Sequence, residues 1–400
     1  MQVMLLRRSF LQSRWSLPFL GAWLGRGAAL AAKPQRDFLK ELELRTFINA
    51  AEPFTALSGS IMPPEVQQAW NYAATRHMRL DEVHDAVGRK IAALIGCPAA
   101  MVTAGAASAL TLGTAACLTG LDRDKVRRLP DTSGMKSEVI IQKSHRYGYD
   151  HAVRNCGIRY VEVETLDEIE RAIGPNTAMM HFFNTNEPMG QVNLPEFAAL
   201  GRKHGIPVLN DIAADVPPLS NFTRSLQLGC DLVAVSGGKG LRGPQSCGLL
   251  YGNADLIKAA RLNGPPNSDA IGRGQKVNKE EMLAMLVTLE LYFQRDHEAE
   301  WREWERRVNI VRSAVTKIPG VTAEMFVPEI HYRCPHLRVH WDAANIRLSV
   351  AEAIQRLRAG EPSIEVRPYT KDGLELSVWL LAPGEVDIVA RRIAEVLKAG

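Results

Sequence analysis

Hydrophobic residues in this chain gather into short unbroken runs, separated by longer stretches with helical spacing. MV (101–102), EVIIQ (138–142), RYVEVE (159–164), TAMMHFF (177–183), IPVLN (206–210), DLVAVS (231–236) and CGLLYG (247–252) are too short for helices. Several are apolar at successive positions, as strands covered on both faces must be. DEIERAI and LPEFAALGRKH lie between them with helical spacing. The alternation predicts an α/β fold built on a mostly parallel sheet with helices on both faces. Upstream, a strand is expected around Phe47–Asn49, and Pro63-Pro64 mark a helix start, where a missing N–H costs nothing. An amphipathic helix over 80–94 places Val83, Val87, Ile91 and Leu94 on one face.

Beyond residue 278 the spacing changes. Met282, Met285, Leu286, Leu289 and Phe293 form a helical stripe that leads into a smaller C-terminal αβ domain. There HLRVHW (336–341), SVAEAIQRLRAG (349–360), SIEVRP (363–368), GLELSVWL (373–380) and GEVDIVARRIAEVLKAG (384–400) read as strand, helix, strand, strand, helix. The chain divides into a leader (1–32), an N-terminal segment (33–75), a large domain (76–277) and a connecting helix with a small domain (278–400). No internal repeat or low-complexity tract interrupts this order.

A length of 400 residues suits two domains, and 46% hydrophobic with 23% charged residues suits a soluble globular protein. The formal net charge of +4 comes from scattered basic residues, with no basic block interleaved with aromatics, so no nucleic-acid partner is expected. Cys97, Cys117, Cys156, Cys230, Cys247 and Cys334 lack ligand-like spacing, which argues against both a metal site and a disulfide framework. The leader carries Arg7-Arg8, then Phe10 and Leu11, an apolar stretch over 16–32 and no acid before Asp37. It resembles a twin-arginine export signal with a small-residue cleavage region near 29–32, predicting a periplasmic protein. A retained amphipathic arm on a cytoplasmic protein and an organelle transit peptide are the alternatives. No run reaches the ~20 apolar residues of a membrane span.

Chemistry enters at two strand ends. Lys239 lies in SGGKGLRGPQSCG (236–248), and Asp211, 28 residues earlier, lies in LNDIAADVPP. Ligands of open parallel sheets bind beyond the carboxyl ends of the strands, where both residues fall. A lysine amine and a carboxylate so placed match the needs of pyridoxal 5'-phosphate (PLP). The amine forms a Schiff base, and the carboxylate keeps the pyridine nitrogen protonated, so that the ring draws electrons from a substrate carbanion. The run TAGAAS (103–108) opens a helix of small residues, whose free N–H groups suit the cofactor phosphate.

The segments FINAAEPFTALSGSIMPPEV, VTAGAASALTL, FNTNEPMGQ, LNDIAADVPP and SGGKGLRGPQSCGLLYG resemble those of fold-type I PLP enzymes, the aspartate aminotransferase superfamily, over residues 45–400. Within it they look most like the branch of bacterial selenocysteine synthase and D-glucosaminate-6-phosphate ammonia-lyase. The resemblance implies Lys239 as Schiff-base lysine and proton shuttle, Asp211 on the pyridine nitrogen, and Ala213 against one ring face. Ser236 would hold the phosphate together with the Gly105, Ala106 and Ala107 N–H groups. His145, in QKSHRYGYDHA, would cover the other ring face. Arg242 would meet an anion of cofactor or substrate, while Asn184 and Asn186 are within the family's reach of the phenolic oxygen. Arg333, Arg338 and Arg367 are candidates for a substrate-carboxylate clamp; His77, His84 and His151 read as surface or packing residues. A homodimer or larger homo-oligomer is implied.

One departure is Glu52 in AAEP (50–53), which places a charge near the expected substrate access, so the substrate cannot be copied from a relative. Selenocysteine synthases also carry an N-terminal tRNA-binding segment, where this chain has only the apolar leader. The expected reaction is β-elimination of the ammonia-lyase type on an amino acid or amino-sugar acid. An aminotransferase, a selenium transferase-like enzyme, a racemase and a PLP-binding sensor without turnover are the alternatives.

Overall fold

The seven-stranded sheet that carries both chemical residues has the order β2-β8-β7-β6-β5-β3-β4. Its strands are Ala99–Thr103 (β2), Glu138–Gln142 (β3), Arg159–Val163 (β4), Thr177–Phe183 (β5), Val208–Asp211 (β6), Leu232–Ser236 (β7) and Gly248–Gly252 (β8). Here β1 is the short strand Phe47–Asn49. In this computed structural model, which describes residues 36–371 and 373–400, β8 runs antiparallel to both β2 and β7, and the remaining pairs are parallel. The arginine pair and the 29–32 region of the leader lie outside the described residues. A division falls between Arg45 and Thr46; before it stands a short helix, Phe38–Glu41, whose first turn is capped by Asp37.

Both faces of the sheet are covered, for the reason the apolar runs suggest. On one side the helix Gly105–Thr119 lays Ala109, Leu110, Leu112 and Ala116 against Leu209, Leu232, Ala234 and Leu250. Gly113 lets it approach, since a Cβ there would stand 2.5 Å from Leu209 Cδ1. On the other side the helices Leu80–Ile95 and Lys279–Gln294 pack Val87, Ile91, Met282, Met285 and Leu289 against Val102, Val233, Val235 and Leu249.

The smaller part holds Val321–Phe326 (β9), His336–Trp341 (β10), Arg367–Thr370 (β12) and Gly373–Ser377 (β13) in the antiparallel order β12-β13-β10-β9. Ser363–Glu365 (β11) pairs in parallel with β1, so Ile48 and Ala50 join the small-domain core with Val339, Leu374 and Trp379. The apolar stretch after residue 278 is two helices, not one. Lys279–Gln294 ends before Asp296, which caps His297–Val315 by accepting from Ala299 N at 2.9 Å.

Candidate active site

The strand register brings the expected cofactor residues to one end of the sheet. Asp211 pairs with Ala234, so it lies level with the end of β7, two residues before Ser236. Ser236 and Thr103 flank Gly248 from either side. A Cβ on Gly248 would fall 2.3 Å from the Gly105 carbonyl carbon and 2.6 Å from Ala106 N, so the bare glycine seats the helix N-terminus directly beside Ser236. Ala104 caps that helix without a side-chain acceptor, unlike Asn193, Asn278 and Ser349 at the starts of other helices. The first turn keeps its positive dipole end open. Within it the buried Ser108 Oγ has no hydrogen-bond partner. Gly105, Ala106, Ala107 and Ser236 thus form one cradle of the kind a phosphate occupies.

Lys239 sits in a loop closed by its own backbone. Gly237 N donates to Cys247 O and Gly243 N to Gly237 O, both at 2.8 Å, and Gly238 O accepts from Ser60 N and Oγ at 3.0 Å. Burial lowers the pKa of the lysine amine, while the charges of Asp211 and Asp215 raise it. Asp211 is buried; its Oδ1 accepts from Ala213 N at 2.9 Å and its Oδ2 from the Tyr147 hydroxyl. Burial raises the Asp211 pKa against these hydrogen bonds and the Lys239 charge. Amine and carboxylate therefore lie within one another's field, with a phosphate cradle at the same sheet end. This donor set fits PLP: Lys239 for the aldehyde, Asp211 for the pyridine nitrogen, the 105–107 N–H groups and Ser236 for the phosphate.

A second carboxylate, Asp215, escaped the sequence reading. It is buried, accepts from Asn184 Nδ2 and Thr185 Oγ1 at 2.9 Å each, and burial pushes it up to about 7. The Asn184 amide is thereby spent on Asp215, and the Asn186 amide on Ser144 O at 2.8 Å. A carboxyl group raised from 3.8 to about 7 keeps its proton longer in the folded chain than in the unfolded one. Folded protein then binds more protons in that window, and stability falls as pH rises through it. Asp215→Asn, in cofactor-free protein, is expected to raise the melting temperature relative to the native chain at pH 8. The gap should shrink towards pH 4. Thermal melts across that range check it, and a pH-independent gap would contradict the assignment.

His145 is fully buried: Nδ1 accepts from Phe183 N at 3.2 Å, Nε2 meets the Gln142 amide at 3.2 Å, and its ring stands edge-on to Phe182. Burial lowers it to about 4, which keeps the ring neutral. The turn Lys143–His145 carries the chain on so that Tyr147, two residues later, is the aromatic that reaches Asp211. Tyr147 lies flat on Phe183, with ring centroids 3.8 Å apart. Both follow β3 closely, and the turn geometry decides which of the two reaches Asp211.

Arg242 donates to Trp379 O at 2.5 Å and lines a cleft of about 610 Å³ with Arg307, which bonds the carbonyls of Val378 and Leu381. It ties the lysine loop to the end of the small sheet. Glu52 is not at an open access but buried, with Oε1 2.6 Å from His336 Nε2 and 3.7 Å from Arg367. Arg367 also pairs with Glu375 at 3.0 Å, and Arg338 with Glu375 at 3.3 Å, while Arg333 is exposed. Tyr332 N donates to Ala214 O at 2.9 Å, which brings the 331–334 segment of the small domain against the Asp211 loop. His331 in that segment feels the charges of both Arg367 and Lys239. Among the described residues no cluster of three or more His, Cys, Asp or Glu suits a metal ion, and no helix is long and apolar enough to cross a membrane.

The sequence profile of the aminotransferase class-V family matches residues 68–267. The 5'-C-glycyluridine monooxygenase-decarboxylase of a Streptomyces species is 30% identical over 365 residues, spanning 88% of this chain and 89% of that protein. The D-glucosaminate-6-phosphate ammonia lyase of Salmonella typhimurium is 27% identical over 373 residues, spanning 90% of this chain and 98% of that protein. A solved structure of D-glucosaminate-6-phosphate ammonia-lyase aligns with a TM-score of 0.80 at 26% identity, over 91% of this chain and 99% of that one. The chain belongs to the aminotransferase class-V family and has the fold-type I architecture.

Proposed function

We propose that this class-V family member is a PLP-dependent lyase that eliminates ammonia from an amino acid carrying a sugar-derived chain. The cofactor is pyridoxal 5'-phosphate, and the chain is a PLP-dependent lyase or transferase. One observation carries the reading: the buried Asp211 lies level with the end of β7, Lys239 follows that strand directly, and both stand at the sheet end that holds the helix-start cradle. The elimination chemistry is supported by the full-length similarity to an ammonia lyase. The substrate class is supported by both relatives, whose names describe an amino-sugar acid and an amino acid joined to a nucleoside.

When bound, the cofactor ring supplies a sink for the electron pair left as a proton departs from the substrate carbon. The protein's part follows from its own groups. Lys239 Nζ, its pKa lowered by burial, is the base that takes the α-proton and can return it to the leaving group. Asp211 would hold the pyridine nitrogen of the cofactor and keep it protonated, and Tyr147 and Ala213 fix the carboxylate in place. The cradle N–H groups and Ser236 would hold the cofactor phosphate. The buried Tyr332 and the half-buried Tyr147 supply aromatic surface near the Asp211 loop, through the Tyr332 N–Ala214 O bond and the Tyr147–Asp211 contact.

Oxygen-dependent decarboxylation is the second reading, favoured by the 30% identity to the monooxygenase-decarboxylase. Incubating the loaded protein with D-glucosaminate 6-phosphate and a panel of L- and D-amino acids separates the two. Ammonia and keto-acid release under anaerobic conditions is the expected result; product formation that requires dioxygen and yields carbon dioxide would replace the lyase reading. The twin-arginine pattern supports export of the folded, cofactor-loaded protein, checked by recovery from the periplasmic fraction. The family resemblance supports a homodimer, checked by mass in solution.

A further inference from the structure

Asp215 is fully buried, and the reaction assigned above does not use it. Its carboxylate bridges two of the loops at the catalytic end of the sheet. Phe183 pairs with Asp211, so Asn184 and Thr185 open the loop just past β5, level with the end of β6. Both donate to Asp215 at 2.9 Å, and Asn184 Oδ1 accepts from the Asn210 amide of β6 at 3.4 Å. Asn221 Nδ2 donates to the Asp215 carbonyl at 2.5 Å and Asp215 N to Ile212 O at 3.1 Å, which fixes the backbone of the residue. The third loop, after β7, is in direct contact with this pair. A Cβ on Gly240 would stand 2.0 Å from Val216 O and 2.9 Å from Val216 C, so the residue after Lys239 lies against the residue after Asp215.

A carboxylate in such a place is costly. Its two side-chain donors, Asn184 and Thr185, are uncharged, and a buried charge held only by neutral groups is disfavoured against a neutral residue of the same size. Lys239 is the cation whose charge acts on it. Asp211 faces both groups from the end of β6. From the small domain, His331 faces Lys239 and Tyr332 faces Asp215, and burial works against charge on both. The acid is also expected to cost the cofactor-free chain stability, as argued above. That is the pattern of a side chain placed for function and not for the fold.

We propose that Asp215 is a positioning residue for the cofactor lysine: it ties the loops after β5 and β6 together and supplies a second negative charge that keeps the cofactor-bound Lys239 nitrogen protonated. The proposal rests on Lys239 being the residue that joins the cofactor. A protonated nitrogen there withdraws electrons from the carbon it is joined to, which favours attack by a substrate amine.

The test is the absorbance of full-length, PLP-loaded protein titrated from about pH 5 to about pH 10, whose midpoint marks loss of that proton. Asp215→Asn is expected to lower the midpoint by about one unit or more, as loss of a nearby opposite charge does. Asparagine keeps the size and still accepts from Asn184, while the Thr185 hydroxyl can turn to accept. Thr185→Val is the second variant. It keeps the carboxylate but removes a hydrogen bond that favours its charged form, so the midpoint should fall by less. A merely structural Asp215 would change the melting temperature or cofactor affinity and leave the midpoint in place. A native chain that stays protonated throughout, beside an Asp215→Asn variant that titrates, also supports the proposal. It is overturned by an Asp215→Asn midpoint within about 0.3 units of the native one, or by spectra that ignore pH in both proteins. Where Asp215→Asn does not fold, an unshifted Thr185→Val overturns it. In each of these cases the lysine-bound absorbance still forms, so Lys239 keeps its role. Absence of that absorbance in the native chain instead removes the reading beneath the proposal, and the proposal with it.

Discussion

Lys239→Ala is expected to abolish both the violet-edge absorbance of the lysine-bound cofactor and all measurable turnover. Two losses coincide in this substitution. In the proposed function the substitution removes both the amine that would join the cofactor aldehyde and the base at the substrate carbon; a positioned proton-transfer group alone is worth about 10²- to 10⁴-fold. The fold should survive, because the loop is held by backbone bonds from Gly237, Gly238 and Gly243 and not by the lysine side chain. Circular dichroism and the melting curve should stay near those of the native chain, and cofactor should still bind without a covalent link through the 105–107 cradle. A small primary amine added to the variant should restore part of the turnover, since it supplies the missing base without the tether. Retained turnover in the unsupplemented variant would remove Lys239 from the chemistry and the lyase reading with it.

Why this lysine could be found in the sequence, and other parts of the site could not, has a physical answer. Lys239 and Asp211 follow runs that are apolar at successive positions, and such runs become strands buried on both faces wherever they pack. TAMMHFF matches β5 residue for residue, and EVIIQ matches β3. The residues just beyond are then fixed at the sheet's carboxyl end. Asp215 lies only four positions after Asp211, but it reads as an ordinary residue before a proline pair. Its burial depends on Asn184 and Thr185, about thirty positions upstream. Glu52 looks solvent-exposed until β1 pairs with β11, more than 300 residues away, and places it against His336. The strand Val321–Phe326 was missed because it lies at a sheet edge, with only Val321 buried. Local pattern finds the strands; long-range pairing decides which polar side chains they bury.

Asp211→Asn is expected to lower turnover by about 10- to 10³-fold, the range that follows when an opposite charge shifts a pKa by about 1–3 units. Asparagine preserves the shape and one acceptor, so the Ala213 N–H can remain satisfied, but the negative charge proposed to face the pyridine nitrogen disappears. The lysine responds in the opposite sense to the loss. Asp211 raises the Lys239 pKa, so removing it lowers the amine further and increases the neutral fraction at pH 7. Depleted base therefore cannot explain the fall, which isolates the ring nitrogen as its cause. Tyr147→Phe provides the contrast. It keeps the charge but removes a hydrogen bond that lowers the Asp211 pKa, so that pKa rises and the carboxylate is lost at a higher pH. Turnover of Tyr147→Phe should approach that of the native chain in alkaline buffer and fall earlier as pH drops, whereas Asp211→Asn should stay low throughout. The two pH–rate profiles, measured on cofactor-loaded proteins, separate loss of charge from weakened support. Should Asp211→Asn turn over within twofold of the native rate, the carboxylate has no part in holding the ring protonated.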